Sequence, residues 1–315
     1  AALDVSPGTF KVTQFNDDKT GSSLADELQK LAPKEILIPE NLMDQPKPWL
    51  PTGDPFLHSW EDWTYSHSEA VRNLLNHFKT QSLEGFGCEN MSHGISAAGA
   101  LIHYLHETQK SALEHINSIS PFYIHDYMAL DQSTVTSLEL IQSSEGTRKN
   151  SLLNLLDESC TPMGARRIRE WIIQPLIDSD KIKARLEIVS TFKSLPLNRQ
   201  ETRDLLKKIF DLERLLGKIT LSVCNARDLV SLKNSIGTFP DLYKALEQCE
   251  PDRLSIYLEN WNNLENLYNL IEKNIINDPP LGLKEGNLIK QGCDAELDRL
   301  KDISRKGKSW IASLE

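Results

Sequence analysis

At 315 residues, with 39% hydrophobic and 25% charged side chains, the chain has the composition of a globular protein with room for about two domains. No apolar run approaches the ~18 residues of a membrane helix, and residues 1–10 lack the basic start and apolar stretch of a secretory signal. The net charge of −10 is uneven: residues 1–118 hold 8 Lys+Arg against 16 Asp+Glu, and the remainder 27 against 29. A phosphate-gripping face needs clustered positive charge, so the first third is suited to meeting another protein rather than DNA. Five widely spaced cysteines, an odd number, point to reduced thiols in a cytoplasmic protein.

Along the chain, Pro7-Gly8 is a turn signal between two short strands, 3–6 and 9–13. Residues 22–32 open on serines suited to N-capping and carry Leu24, Leu28 and Leu31 at helical spacing. Glu35 to Ile38 reads as a buried strand, and the proline-rich 40–56 as an irregular loop. Helices are expected over 67–79 and 95–114, the second with the small residues Ala97-Ala-Gly-Ala100 for close packing. That order is an α/β pattern. From about residue 150 only helices follow: 150–157, 163–174, 178–193, 199–216, 224–236, 241–248 and 252–276. A break opens at Pro279-Pro280, a hairpin or loop fits 284–292, and a last helix runs from about 294 to the end. In it Leu300, Ile303, Gly307, Trp310 and Leu314 keep the spacing of a helix-pair seam. The sequence stops there without a stop signal, as expected of a piece of a longer protein.

Four constellations invite a chemical reading. Gly307-Lys308-Ser309 matches the end of a phosphate loop, but Asp302 stands where its leading glycine belongs and no strand precedes it. All eight histidines fall between His58 and His125; His103 and His106, one turn apart, could share a metal, yet zinc normally recruits three or four ligands. Asp4 on the first strand resembles the metal-holding acid of ribonuclease H-like nucleases; such a site needs further acids on neighbouring strand ends, where only Glu35 and Glu40 flank the third strand. Turn capping is the plainer role for Asp4. Trp49, Phe56, Trp60, Trp63 and Tyr65 could stack bases, but Asp54, Glu61 and Asp62 surround them, which favours loop packing over the α/β core. No catalytic, cofactor or metal residue is assigned.

The most distinctive stretch is Thr161-Pro-Met-Gly-Ala-Arg-Arg-Ile-Arg-Glu-Trp-Ile-Ile-Gln-Pro-Leu176. It reads as a helix with a proline start, a basic outer face and an apolar stripe of Ala165, Ile168, Ile172 and Leu176. Pro162, Gly164 and Pro175 are candidate articulation points, although start and stop signals are their simpler use. This stretch resembles the core of the MutS family of DNA mismatch-recognition ATPases, and six other regions agree in order. They are Leu3 to Phe10; Leu83 to Gly87 with Ala97 to Leu105 and Glu107 to Gln109; Leu130-Asp131 with Leu138 to Leu140; Asp211 to Leu215; Asn225 to Leu229; and Gly292 to Asp298. Thr136-Ser137 replace the usual Arg-Asn and Cys293 a usual tyrosine, which puts only local contacts in doubt.

The resemblance implies a ribonuclease H-like α/β connector over 1–118, truncated at its N-terminus. It is followed by an all-α core or lever domain over 119–315 whose last helix leads to a DNA clamp. It also implies a MutL-type partner at the connector, and a homodimer binding mismatched duplex through the complete protein. ATP and Mg²⁺ would be needed by the complete protein, with no cofactor and no catalysis in this fragment. None of the nine Phe has Glu two residues later, so the family's mismatch-reading motif is not here. A family relative acting in recombination and a metal-dependent nuclease using Asp4 are the alternatives.

Overall fold

The turn at Pro7-Gly8 sets the geometry of the first strands. Gly8 adopts φ +71°, and a Cβ there would lie 2.9 Å from the His115 carbonyl oxygen, so only glycine is comfortable. Strand β1 (Ala2–Asp4) therefore folds back antiparallel on β2 (Thr9–Val12), with Leu3 opposite Phe10. The short β5 (Ser120–Pro121) lies parallel on the other side of β2, giving the order β1-β2-β5. A separate parallel pair joins β3 (Glu35–Pro39) to β4 (Phe56–Trp60). The computed structural model describes residues 1–15, 21–51, 53–109, 113–123, 126–249 and 251–312; the side chains of 251–253, 256 and 305–312 lie outside that description.

The chain divides into two compact units, Ala1–Ser190 with Leu216–Ser222, and Thr191–Leu215 with Val223–Glu315. In the first, helices α1 (Ser22–Leu31), α2 (His67–Phe78) and α3 (Ser92–Thr108) accompany the strands. Their core gathers Phe10 and Val12 from β2, Ala70 and Leu74 from α2, and Ile95, Ala98 and Ile102 from α3. Leu113, Ile116 and Ile119 close it from the segment before β5. Each fully buried aliphatic side chain contributes roughly 1.5–3 kcal/mol. The α2–α3 crossing is backbone on backbone: a Cβ at Gly99 would overlap the backbone of Ala70. The small-residue run 97–100 thus does what its composition predicts.

Beyond β5 the unit continues with α4 (Gln132–Ser137), α5 (Leu152–Leu156), α6 (Pro162–Ile173) and most of α7 (Ser179–Ser194). The second unit carries α8 (Pro196–Leu206), α14 (Ala295–Ala312) and the helices between residues 226 and 274, while α7 and α9 (Leu212–Thr220) span the division. Helix α10 (Ala226–Gly237) packs on α13 (Glu265–Asn274), and α8 packs on α11 (Phe239–Glu247), which is followed by α12 (Pro251–Leu258). Buried Lys233 on α10 reaches Glu272 on α13 at 2.7 Å, and Lys290 grips the same carboxylate at 2.8 Å. The two lysines hold Glu272 down at about 2. Among the described residues no helix is long and apolar enough to cross a membrane.

The small mixed sheets and the helical continuation agree with an α/β region followed by helices. Several local expectations are corrected. Helix α1 starts at left-handed Gly21 rather than on a serine cap, and its buried residue is Glu27, paired with Lys30 at 2.6 Å, while Leu31 is exposed. The end of the proposed loop at 40–56 is the start of β4. Helix α3 stops at Thr108, where Gln109 turns extended, not at 114; residues 110–112 lie outside the described residues.

The helix expected over 199–216 breaks in two. The amides of Lys208 and Ile209 turn to carbonyls three residues back, Phe210 N–H donates to Ser235 Oγ at 3.0 Å, and Asp211 caps α9. The helix expected over 252–276 breaks at 259–264, where Asn262 Oδ1 accepts from Leu264 N–H and Leu264 takes φ +51°. Residues 284–292 hold a single 3₁₀ turn and a bridge from Ile289 to Ile275. The seam residues Leu300 and Ile303 are exposed; Gly307 and Trp310 have undescribed side chains, and Leu314 lies outside the described residues.

Candidate functional site

The signature helix α6 is built from its N-terminus. Thr161 Oγ1 accepts the Gly164 N–H at 3.0 Å, and Pro162 occupies the first helical position, where a missing N–H costs nothing. Pro162 and Gly164 are therefore start signals in the cap. The apolar stripe is rotated from expectation: Ile173 is the buried residue, and Ala165, Ile168, Ile172 and Leu176 are only half-buried. The basic face is engaged locally. Arg167 Nη1 donates to Glu170 Oε2 at 2.7 Å, burial lowers the Arg169 guanidinium, and Arg185 of α7 lies 3.8 Å over the Trp171 ring.

Glu170 also ties α6 to the sheet, because Lys11 Nζ of β2 reaches its Oε1 at 2.9 Å. Partial burial pushes the Glu170 carboxyl upward; Lys11 and Arg167 more than reverse this and hold it below the ordinary carboxylate range. The helix exit is pinned as well. Met128 N–H donates to the Pro175 carbonyl at 2.8 Å, and Tyr127 bridges Leu176. The site thus consists of one capped helix held at its start, middle and exit. Lys11 and Glu170 are 159 residues apart, and no signal in the sequence couples them.

The other constellations have ordinary partners. Asp4 is exposed and its Oδ1 accepts the Ser6 N–H at 3.1 Å, the geometry of a turn cap. Glu35 is turned to Tyr104 Oη at 2.7 Å and His58 Nδ1 at 3.2 Å, and Glu40 opens a 3₁₀ turn, so neither acid stands beside Asp4. His103 accepts from Trp60 Nε1 at 3.3 Å, whereas His106 meets His77 at 3.1 Å; the two do not share a site. Among the described residues no three His, Cys, Asp or Glu side chains converge as for a metal; His125 lies outside them.

Trp60 and Trp63 pack against His103, at ring separations of 6.0 and 5.1 Å, and Trp60 against Tyr104 at 5.0 Å. Phe56 and Trp60 thus belong to a strand packed on α3 rather than to a loop. Burial, reinforced by Asp62, pushes the Tyr65 hydroxyl up. Residues 302–309 are helical, so their amides are committed to carbonyls four residues back and do not form a phosphate cradle. Lys308 and Ser309 side chains lie outside the described set.

An α/β sheet region continued by a capped helical array, with α6 tied to the sheet, is matched by two family models in succession: MutS domain II over residues 1–117 and MutS domain III over residues 133–314. The DNA mismatch repair protein MutS of Halothermothrix orenii is 42% identical over 99% of this chain and 35% of its own length. Those of Alkaliphilus metalliredigens and Symbiobacterium thermophilum are 39% and 37% identical over 100% of the chain and 36% of their own length. The chain belongs to the MutS family of DNA mismatch repair proteins. It spans about a third of the length of these curated relatives.

Proposed function

We propose that this chain is the connector and lever portion of a MutS-type mismatch-recognition ATPase, passing conformational signals between mismatch-bound DNA and the ATPase. The connector comprises residues 1–118 and the lever 119–315. The portion itself is non-catalytic; ATP, Mg²⁺ and mismatched duplex are engaged elsewhere in a complete, homodimeric protein. The acid-rich connector is the surface for a MutL-type partner, in keeping with its 16 acidic against 8 basic residues.

The observation that carries this reading is the Lys11–Glu170 pair. It joins β2 of the connector to the signature helix of the lever, as coupling through a contiguous packed element requires. In the complete protein, Glu170→Lys is expected to lower mismatch-stimulated ATP turnover about tenfold, within the usual range of coupling energies. ATP binding should stay unchanged, and adding Lys11→Glu should restore most of the stimulation. Steady-state hydrolysis with matched and mismatched duplex reads this out; full stimulation in the single reversal sinks the proposal.

A further inference from the structure

The segment from Leu113 to Ile119 carries the chain from α3 to β5, and histidines grip it from two sides. His77, in the last turn of α2, places Nε2 2.7 Å from the Ile116 carbonyl oxygen and Nδ1 3.1 Å from His106 Nε2 on α3. His115, within the segment, places Nε2 2.7 Å from the Val5 carbonyl oxygen beyond β1. Ile116 itself is 1% exposed.

A carbonyl only accepts, so His77 Nε2 and His115 Nε2 both carry protons. Neutral His77 then has a bare Nδ1, and His106 Nε2 must donate to it. The resulting chain runs from His106 N–H to His77, and from His77 N–H to Ile116. One added proton enters at His106 Nδ1 and leaves this chain intact. A second proton, on His77 Nδ1, sets N–H against N–H and charge against charge, driving the two rings apart.

The charges around the pair point the same way. Lys79 ends α2 and is paired at 3.4 Å with Glu114 of the segment, and His103 lines the same groove one turn back on α3. Burial first, then His106, His115 and Lys79, lower His77 below the usual histidine range, against the pull of the Ile116 carbonyl.

The geometry points to a proton-operated clip: His77, His106 and His115 hold residues 113–119 against the connector core when the pair carries at most one proton, and release them when it takes a second. This goes beyond signal transmission and does not depend on it. A depressed histidine supplies stability above its ordinary value near 6.5 that is lost as pH falls below it.

Hydrogen exchange of the 113–119 amides in the whole 315-residue chain, corrected for intrinsic rates, tests the clip. Between about pH 7.5 and about pH 5.5, their opening equilibrium should rise, by up to ~tenfold per pH unit below the histidine range. His77→Gln keeps a donor for Ile116 but does not titrate, and should abolish the response. In His106→Gln the amide accepts from a protonated ring as readily as it donates to a neutral one, which should shrink the response severalfold. Equal opening at both pH values in the unmodified chain, or an undiminished response in either variant, overturns the clip.

Discussion

The helices of the α/β region and those that follow residue 131 begin in different ways. None of α1, α2 and α3 is capped by its own N-cap residue: Gly21, Ser66 and Met91 precede them without a side-chain bond, and α3 takes its cap from distant Gln14, whose Oε1 accepts the His93 N–H at 2.9 Å. Seven later helices are capped by a side chain, from Asp131, Ser151, Thr161, Asp178, Asp211, Asn225 and Asp294, whereas α8, α11 and α13 are not. Helix α10 has a full capping box, Asn225 with Asp228. Helices α2 and α3 lie on one apolar core, which defines where they start; the later ones expose more surface and rely on local hydrogen bonds to define theirs. One region is specified by packing, the other largely by its caps and polar staples.

That contrast is open to attack, first in the core. Gly99→Leu forces a side chain into the Ala70 backbone and should cost roughly 3 kcal/mol or more in urea unfolding; a loss below about 1 kcal/mol would mean that packing does not define this region. Thr161→Ala removes one cap and should cost about 1 kcal/mol, seen as early exchange of the Gly164 amide while the core amides of α3 stay protected. The smallest effect is conditional on pH. Glu272, held at about 2, lends stability that is present above its ordinary value of 4.5 and lost as pH falls towards 2. Glu272→Gln should therefore flatten the fall of the melting temperature between about pH 5 and about pH 3. An unchanged fall would show that the Lys233 and Lys290 contacts contribute nothing.

Legibility in the sequence follows the same division. The Pro7-Gly8 turn, the Thr161-Pro162 start and the small-residue run before Leu101 are local signals, and each produces the structure its chemistry predicts. Strand β4 escaped because Phe56 to Trp60 pairs with β3 across a proline-rich connection, and its aromatic and acidic neighbours read as loop. The breaks at 207–211 and 259–264 escaped because apolar periodicity runs on through them; Ser235 and Asn262, which stop the helices, act from side chains with many other uses. The resemblance of the signature stretch found the family. It did not find Glu170 as the residue joining helix to sheet, since that depends on a partner brought in by the fold.

The Gly99 crossing bears on how the first region answers a push. Where helices meet through side chains, rotamer changes absorb part of any displacement. Where Gly99 meets Ala70 there is no rotamer to adjust, so a shift of α3 is handed to α2 almost undiminished. The crossing is a stiff joint, and motion entering the domain at either helix leaves by the other.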